Sequence, residues 1–145
     1  MKRAGVVIIL FLAFFGLSDS IYIAQSEVNN TPLICNAEVL SGCNIVSASQ
    51  YSYLFGIPIA EYGAAFYAFI FIIAAFELAL YNQLLRRVLQ VSALAGVVIS
   101  AILTLVEIFV IQALCIFCIA SALIVLAIFI VSILINPKVG PAKYV

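Results

Sequence analysis

The chain contains no histidine at all, and its 145 residues include only six basic and six acidic side chains. Without histidine there can be no His-ligated haem, no Cys₂His₂ zinc site, no Ser-His or Cys-His catalytic pair and no H-E-x-x-H metalloprotease helix. The even balance of sparse charges offers neither a basic face for nucleic acid nor an acidic tail for a charged partner. Polar blocks long enough to fold outside a bilayer are also missing, so a single domain over 1–145 is expected. What remains is a composition that is 68% hydrophobic and 8% charged, far from that of a water-soluble domain. These proportions identify an integral membrane protein whose chemistry falls to its four cysteines, Cys35, Cys43, Cys115 and Cys118.

A helix needs about 20 mostly apolar residues to cross a hydrocarbon core of about 30 Å. Such runs are found at about 4–24 and 62–81. A third apolar stretch, Val88 to Ile135, covers 48 residues and is long enough for two crossings, predicted at 88–110 and 114–135. No Gly or Pro marks the reversal, which is placed at Val110 to Leu114 because Gln112 is the only strongly polar residue there. The expected fold class is therefore all-α: a four-transmembrane-helix bundle, with an outer loop over about 25–58. The N-terminal basic pair and apolar run also resemble a secretory signal peptide, but no A-x-A-like cleavage site follows and Ile21 to Ala24 resumes the apolar pattern.

Four crossings put Lys2-Arg3, Arg86-Arg87 and Lys138 with Lys143 on one side of the membrane. The positive-inside rule makes that side cytoplasmic, so both termini are expected inside a plasma membrane. All four cysteines then face the opposite, oxidising compartment. Within the outer loop, Gln25 to Leu33 reads as irregular chain, and the apolar and serine mixture of Asn44 to Leu54 suits a short helix on the membrane surface. Phe55-Gly-Ile-Pro58 should break it.

Cys115-Ile-Phe-Cys118 places two thiols on one helical face. At a helix start, free amides and the dipole favour the thiolate, chiefly on Cys115, and the thiolate is the species that attacks a disulfide or a quinone ring. Simple packing of small soft side chains is the alternative. Cys35 and Cys43, separated by seven residues that include Ser41-Gly42, suit either a structural disulfide or one end of an electron relay by thiol–disulfide exchange. A Cys₄ zinc site fits this spacing poorly. Asp19 and Glu107 fall toward the outer half of apolar helices and are candidate proton carriers for quinone reduction, with snorkelling or pairing as the alternative for these and for Glu77. Tyr51, Tyr53, Phe55 and Tyr62 suit an interfacial aromatic belt, and the same groups could line a quinone pocket.

Taken in order, Cys35-x7-Cys43, Ser49, Phe55-Gly-Ile-Pro58, Tyr62-Gly63 and Cys115-x-x-Cys118 resemble the vitamin K epoxide reductase family across nearly the whole chain. That resemblance implies a four-helix bundle around a membrane quinone such as menaquinone or ubiquinone, capped by the loop and its half-helix, with no metal and no haem. It implies that Cys118 is the thiol nearest the quinone, that Cys115 exchanges with Cys43, and that Cys35 completes the loop disulfide that oxidises a partner. Ser49, Tyr51 and Tyr62 fall at positions expected to line the quinone. Ala122 and Ile59 stand where vertebrate members carry a tyrosine and an asparagine that contact vitamin K, which argues against vitamin K epoxide as the substrate. Many bacterial relatives carry a fused thioredoxin-like domain, and none follows Pro137 here, so a separate thioredoxin-fold thiol protein is the expected partner. The expected activity is disulfide generation with a quinone acceptor. The rivals are net quinone or epoxide reduction and a disulfide-stapled scaffold without activity.

Overall fold

The computed structural model describes residues 2–34 and 42–135; Cys35, Lys138 and Lys143 lie outside the described residues. Among the described residues there are five α-helices: α1 (Lys2–Asn29), α2 (Cys43–Ala48), α3 (Ile59–Leu80), α4 (Gln83–Val106) and α5 (Ile116–Ile135). Of these, α1, α3, α5 and α4 with its extension to Ile111 are long and apolar enough to cross a membrane, and the protein is a membrane helical bundle. They pack in an up-and-down ring in which α1 meets α3 and α5, and α4 meets α3 and α5.

Lipid replaces water as the solvent of this fold, so the usual inside-outside pattern is lost. Phe11, Phe15, Phe76, Leu84, Val98 and Leu134 point outward, as suits side chains facing hydrocarbon. Small residues share the interior with Ile9, Ile70, Leu89 and Ile128: Ala13, Ala74 and Ala93 are fully buried. A Cβ on Gly16 would lie 2.4 Å from the Tyr67 ring, and one on Gly96 would lie 2.5 Å from Phe66. Close approach of α1 to α3, and of α4 to α3 and α5, therefore depends on these glycines, in the manner of membrane helix interfaces generally.

Helix ends depart from the hydropathy boundaries wherever polar side chains bond to the backbone. α1 runs five residues past the expected end at 24, stopping where Asn30 takes the left-handed conformation (φ 51°) and Thr31 N–H bonds to Ser26 O at 3.0 Å. Residues 25–29, expected as irregular chain, are thus the last turns of a helix. At the other end of the bundle α3 closes on left-handed Tyr81 (φ 52°), and α4 begins at once because Asn82 Oδ1 accepts the Leu84 N–H at 3.0 Å. Asparagine is a strong N-cap, and it starts this helix five residues ahead of the expected Val88.

That early start carries Arg86 into the bundle. Its guanidinium donates to Glu77 Oε1 from Nε at 3.0 Å and from Nη2 at 2.5 Å, in a pair that is almost wholly buried. The Arg86 guanidinium also lies over the Tyr81 ring, 5.3 Å from its centre. Nearby, Gln90 Nε2 donates to Ser132 O at 2.9 Å and joins α4 to α5. Gly5 packs against Ile135, so the start of α1, the α3–α4 turn and the end of α5 share one end of the bundle.

The opposite end is a cap, and its form differs from one surface helix over 44–54. α2 is only six residues long, followed by a 3₁₀ turn at Gln50–Ser52. Ser47 bonds to Cys43 O, and both Ser49 and Ser52 bond to Val46 O. Hydroxyls that return to nearby carbonyls compete with helix continuation, which is why the segment breaks into short turns. A two-stranded antiparallel hairpin follows, pairing β1 (Tyr53–Leu54) with β2 (Ile57–Pro58). Its tip, Phe55-Gly56, has φ of 54° and 80°, the mirror-image turn that matches strand twist.

Candidate active site

Two chain reversals meet at the cap. One is the turn between α4 and α5, where α4 widens into a π-helical turn, Glu107–Ile111, and ends on left-handed Gln112 (φ 56°). The other is the end of the outer loop at Gly42, whose N–H bonds to Leu114 O at 3.0 Å. A Cβ at Gly42 would stand 2.7 Å from Leu114 O and 2.8 Å from Ala113 Cβ. Only glycine lets the two backbones come this close.

The contact puts Cys43 beside Cys115. Both are buried, at 0% and 2% exposure, in one cluster with Leu33, and Ile23, Val46, Phe117 and Cys118 pack around them. Asn44 helps to hold the loop there, since its side chain accepts the Leu33 N–H at 2.8 Å and donates back to Leu33 O at 3.4 Å. Tyr22 of α1 adds a ring contact to Phe117 with centres 5.3 Å apart. Cys43 is disulfide-bonded, whereas Cys115 and Cys118 are free thiols.

Cys115 and Cys118 share a helical face, yet they meet different surroundings. The hydrogen bond from the Cys118 side chain outweighs burial and, with the N–H groups of Cys118 and Phe117, holds the Cys115 thiol below the usual cysteine range. Unpaired amides at a helix start favour negative charge in this way. Cys118 instead lines a cavity of about 250 Å³ between α1, α3, α4 and α5 under the cap, and Cys115 is not part of that lining. The walls are mainly apolar, with Ile23, Phe66, Ile99 and Leu103 among them.

Ser49, Tyr51 and Tyr62 all line this cavity, as does Ile59. Ser49 hangs its hydroxyl on Val46 O at 2.7 Å, and Tyr62 ties α3 to the hairpin through Leu54 O at 3.2 Å. Asp19 and Glu107 reach the same space, and Glu27 joins them. Each of these three carboxyls has one buried oxygen with no hydrogen-bond partner. Glu77 lies apart from them, in its pair with Arg86.

Glu27, Tyr67 and Ser121 were not singled out from the sequence. Glu27 enters because α1 runs on to Asn29. The Tyr67 hydroxyl donates to Ser121 O at 2.7 Å and lies 2.8 Å from Ser121 Oγ. Ser121 follows Cys118 by three residues, and that helical spacing is the signal that points to it.

A sequence model described as the vitamin K epoxide reductase family matches residues 7–133 of the chain. No curated protein matches it.

Proposed function

Because the chain belongs to the vitamin K epoxide reductase family, a family of membrane redox enzymes, we propose that it is a quinone-dependent thiol oxidoreductase that generates disulfides. The observation that carries this reading is the split environment of the two free thiols. Cys115 is packed against disulfide-bonded Cys43, and Cys118 opens on the apolar cavity. Electrons would enter at one thiol and leave from the other.

In this scheme a separate thioredoxin-fold protein gives up its dithiol to the Cys35/Cys43 disulfide and leaves oxidised. A Cys43 thiolate then attacks the oxidised Cys115/Cys118 pair at Cys115, releasing the Cys118 sulfur, and the Cys35 thiol closes the loop disulfide again. The Cys115/Cys118 dithiol must finally lose two electrons and two protons. A quinone, when bound, supplies the acceptor for both.

The cavity suits such a ring: its walls are mainly apolar, and Tyr62, Ser49 and Cys118 line it together. Mostly apolar pockets with a few placed polar groups are the common form of small-molecule sites. The positive-inside rule applied to Lys2, Arg3 and Arg87 supports cytoplasmic termini and an extracytoplasmic cap.

Mixing purified protein, a short-chain quinone and a reduced partner dithiol tests the proposal. Cys118→Ala should abolish quinone reduction, and Cys35→Ala, which removes the resolving thiol, should trap a Cys43–Cys115 mixed disulfide, visible by mass spectrometry. Quinone reduction at the parent rate in Cys118→Ala would rule the relay out.

A further inference from the structure

Glu107 is 5% exposed and occupies the first position of the π-helical turn. Its carboxyl lies beside the Cys118 thiol and the Cys115 backbone, close enough to both to act on their hydrogen-bonding. The oxygen Oε2 is buried with no partner, and the residue lines the cavity that Cys118 opens on. An unpartnered carboxylate charge in apolar surroundings is costly, and nothing in the packing of α4 requires one here. The turn itself is unusual, because the Gln112 and Ala113 N–H groups both converge on the Glu107 carbonyl. Single π-turns of this kind recur at functional sites.

Resting on the reading of the site as a thiol–quinone enzyme, we propose that Glu107 is its proton-transfer residue, passing the Cys118 thiol proton to an acceptor oxygen in the cavity. The carboxyl neighbours the sulfur that must lose a proton, and its residue forms part of the wall of the cavity that would hold the acceptor. Oxidation of the dithiol forms one S–S bond and releases two electrons and two protons, all of which leave with the reduced quinone. Glu107 hands its own proton into the cavity as it takes that of Cys118, so it ends the step as it began. The second proton comes from Cys115, and the same carboxyl carries it in a second turn. No further oxidant or base is needed.

The test uses Glu107→Gln, which keeps the shape and can still hydrogen-bond but cannot exchange a proton in this way. Pre-reduced full-length protein is mixed with a short-chain quinone, and thiol loss at Cys115/Cys118 is followed in a single turnover. General acid–base groups contribute roughly 10²–10⁴-fold, so a loss of about 100-fold or more is expected, with quinone affinity retained by fluorescence quenching. A second readout needs no quinone. Infrared difference spectra between the dithiol and disulfide forms should contain a carboxyl C=O band that disappears in Glu107→Gln.

Should Glu107→Gln fold poorly, Glu107→Ala with added acetate serves instead, and recovery of rate with acetate is the expected result. An unchanged rate in Glu107→Gln, an equal loss of quinone affinity and rate, or a carboxyl band that persists would each overturn the role of Glu107. A wild-type dithiol that fails to reduce quinone would instead overturn the enzyme reading itself, and that arm is scored separately.

Discussion

Cys115 sits where the loop, the α4–α5 turn and the first turn of α5 converge, and its acidity follows from that position. The Cys118 hydrogen bond is the largest contribution to its lowered thiol, with the helix-start N–H groups adding to it, while burial and the nearby Glu107 carboxyl oppose. Removing the Cys118 side chain takes away the main support of the thiolate. In Cys118→Ala the pH at which Cys115 is half-alkylated should therefore rise, and labelling at a fixed neutral pH should slow. Mass spectrometry of iodoacetamide-treated protein reads this directly, and an unmoved midpoint would assign the acidity to the backbone amides alone. The C-x-x-C pattern singles out both thiols as candidates for the reactive set. Their opposite surroundings were not legible from spacing, because Gly42 and Leu114 create them by a contact between segments about 70 residues apart in the chain.

Among the elements, α3 and α4 are joined by only Tyr81 and Asn82, and the buried Arg86–Glu77 pair lies directly beneath this turn. Breaking such a pair leaves an uncompensated buried charge and costs about 3–5 kcal/mol, whereas replacing both partners with apolar groups is often neutral. Arg86→Ala should lower the thermal unfolding midpoint in detergent markedly, and Glu77→Leu/Arg86→Met should restore most of it. Failure of the double variant to recover would mean that the pair fixes helix register as well as balancing charge. The existence of all four membrane helices was legible, because about 20 apolar residues in a row have few other uses. Their ends were less so. Asn30 and Asn82 set them through local backbone bonds worth about 1 kcal/mol, and Gln112 through a left-handed turn, none of which alters hydropathy. Glu27 joined the cavity only because α1 outran its apolar stretch.

For the whole molecule, burial of Arg86 changes how the charges bear on orientation. Its charge is cancelled within the fold, so Arg87 is the exposed cation at the α3–α4 turn, with Arg3 at the start of α1. The proposed orientation still follows, and it is open to labelling. In a cysteine-free variant, a single cysteine at Phe55, which is 92% exposed, should react with an impermeant maleimide in intact cells. One at Gln83 should react only after permeabilisation. The reverse pattern would put the cap in the reducing compartment, where a disulfide-generating relay has no use.

The main-chain bond between Gly42 and Leu114 has one more consequence. It uses no side-chain atom, so substitutions on either side of it leave its donor and acceptor in place. A saturation scan of the cap would pass over this junction almost silently, with position 42 as its one sharp exception. An engineer grafting a new outer loop onto the bundle would have to keep Gly42 for this contact, beside the loop cysteines of the relay.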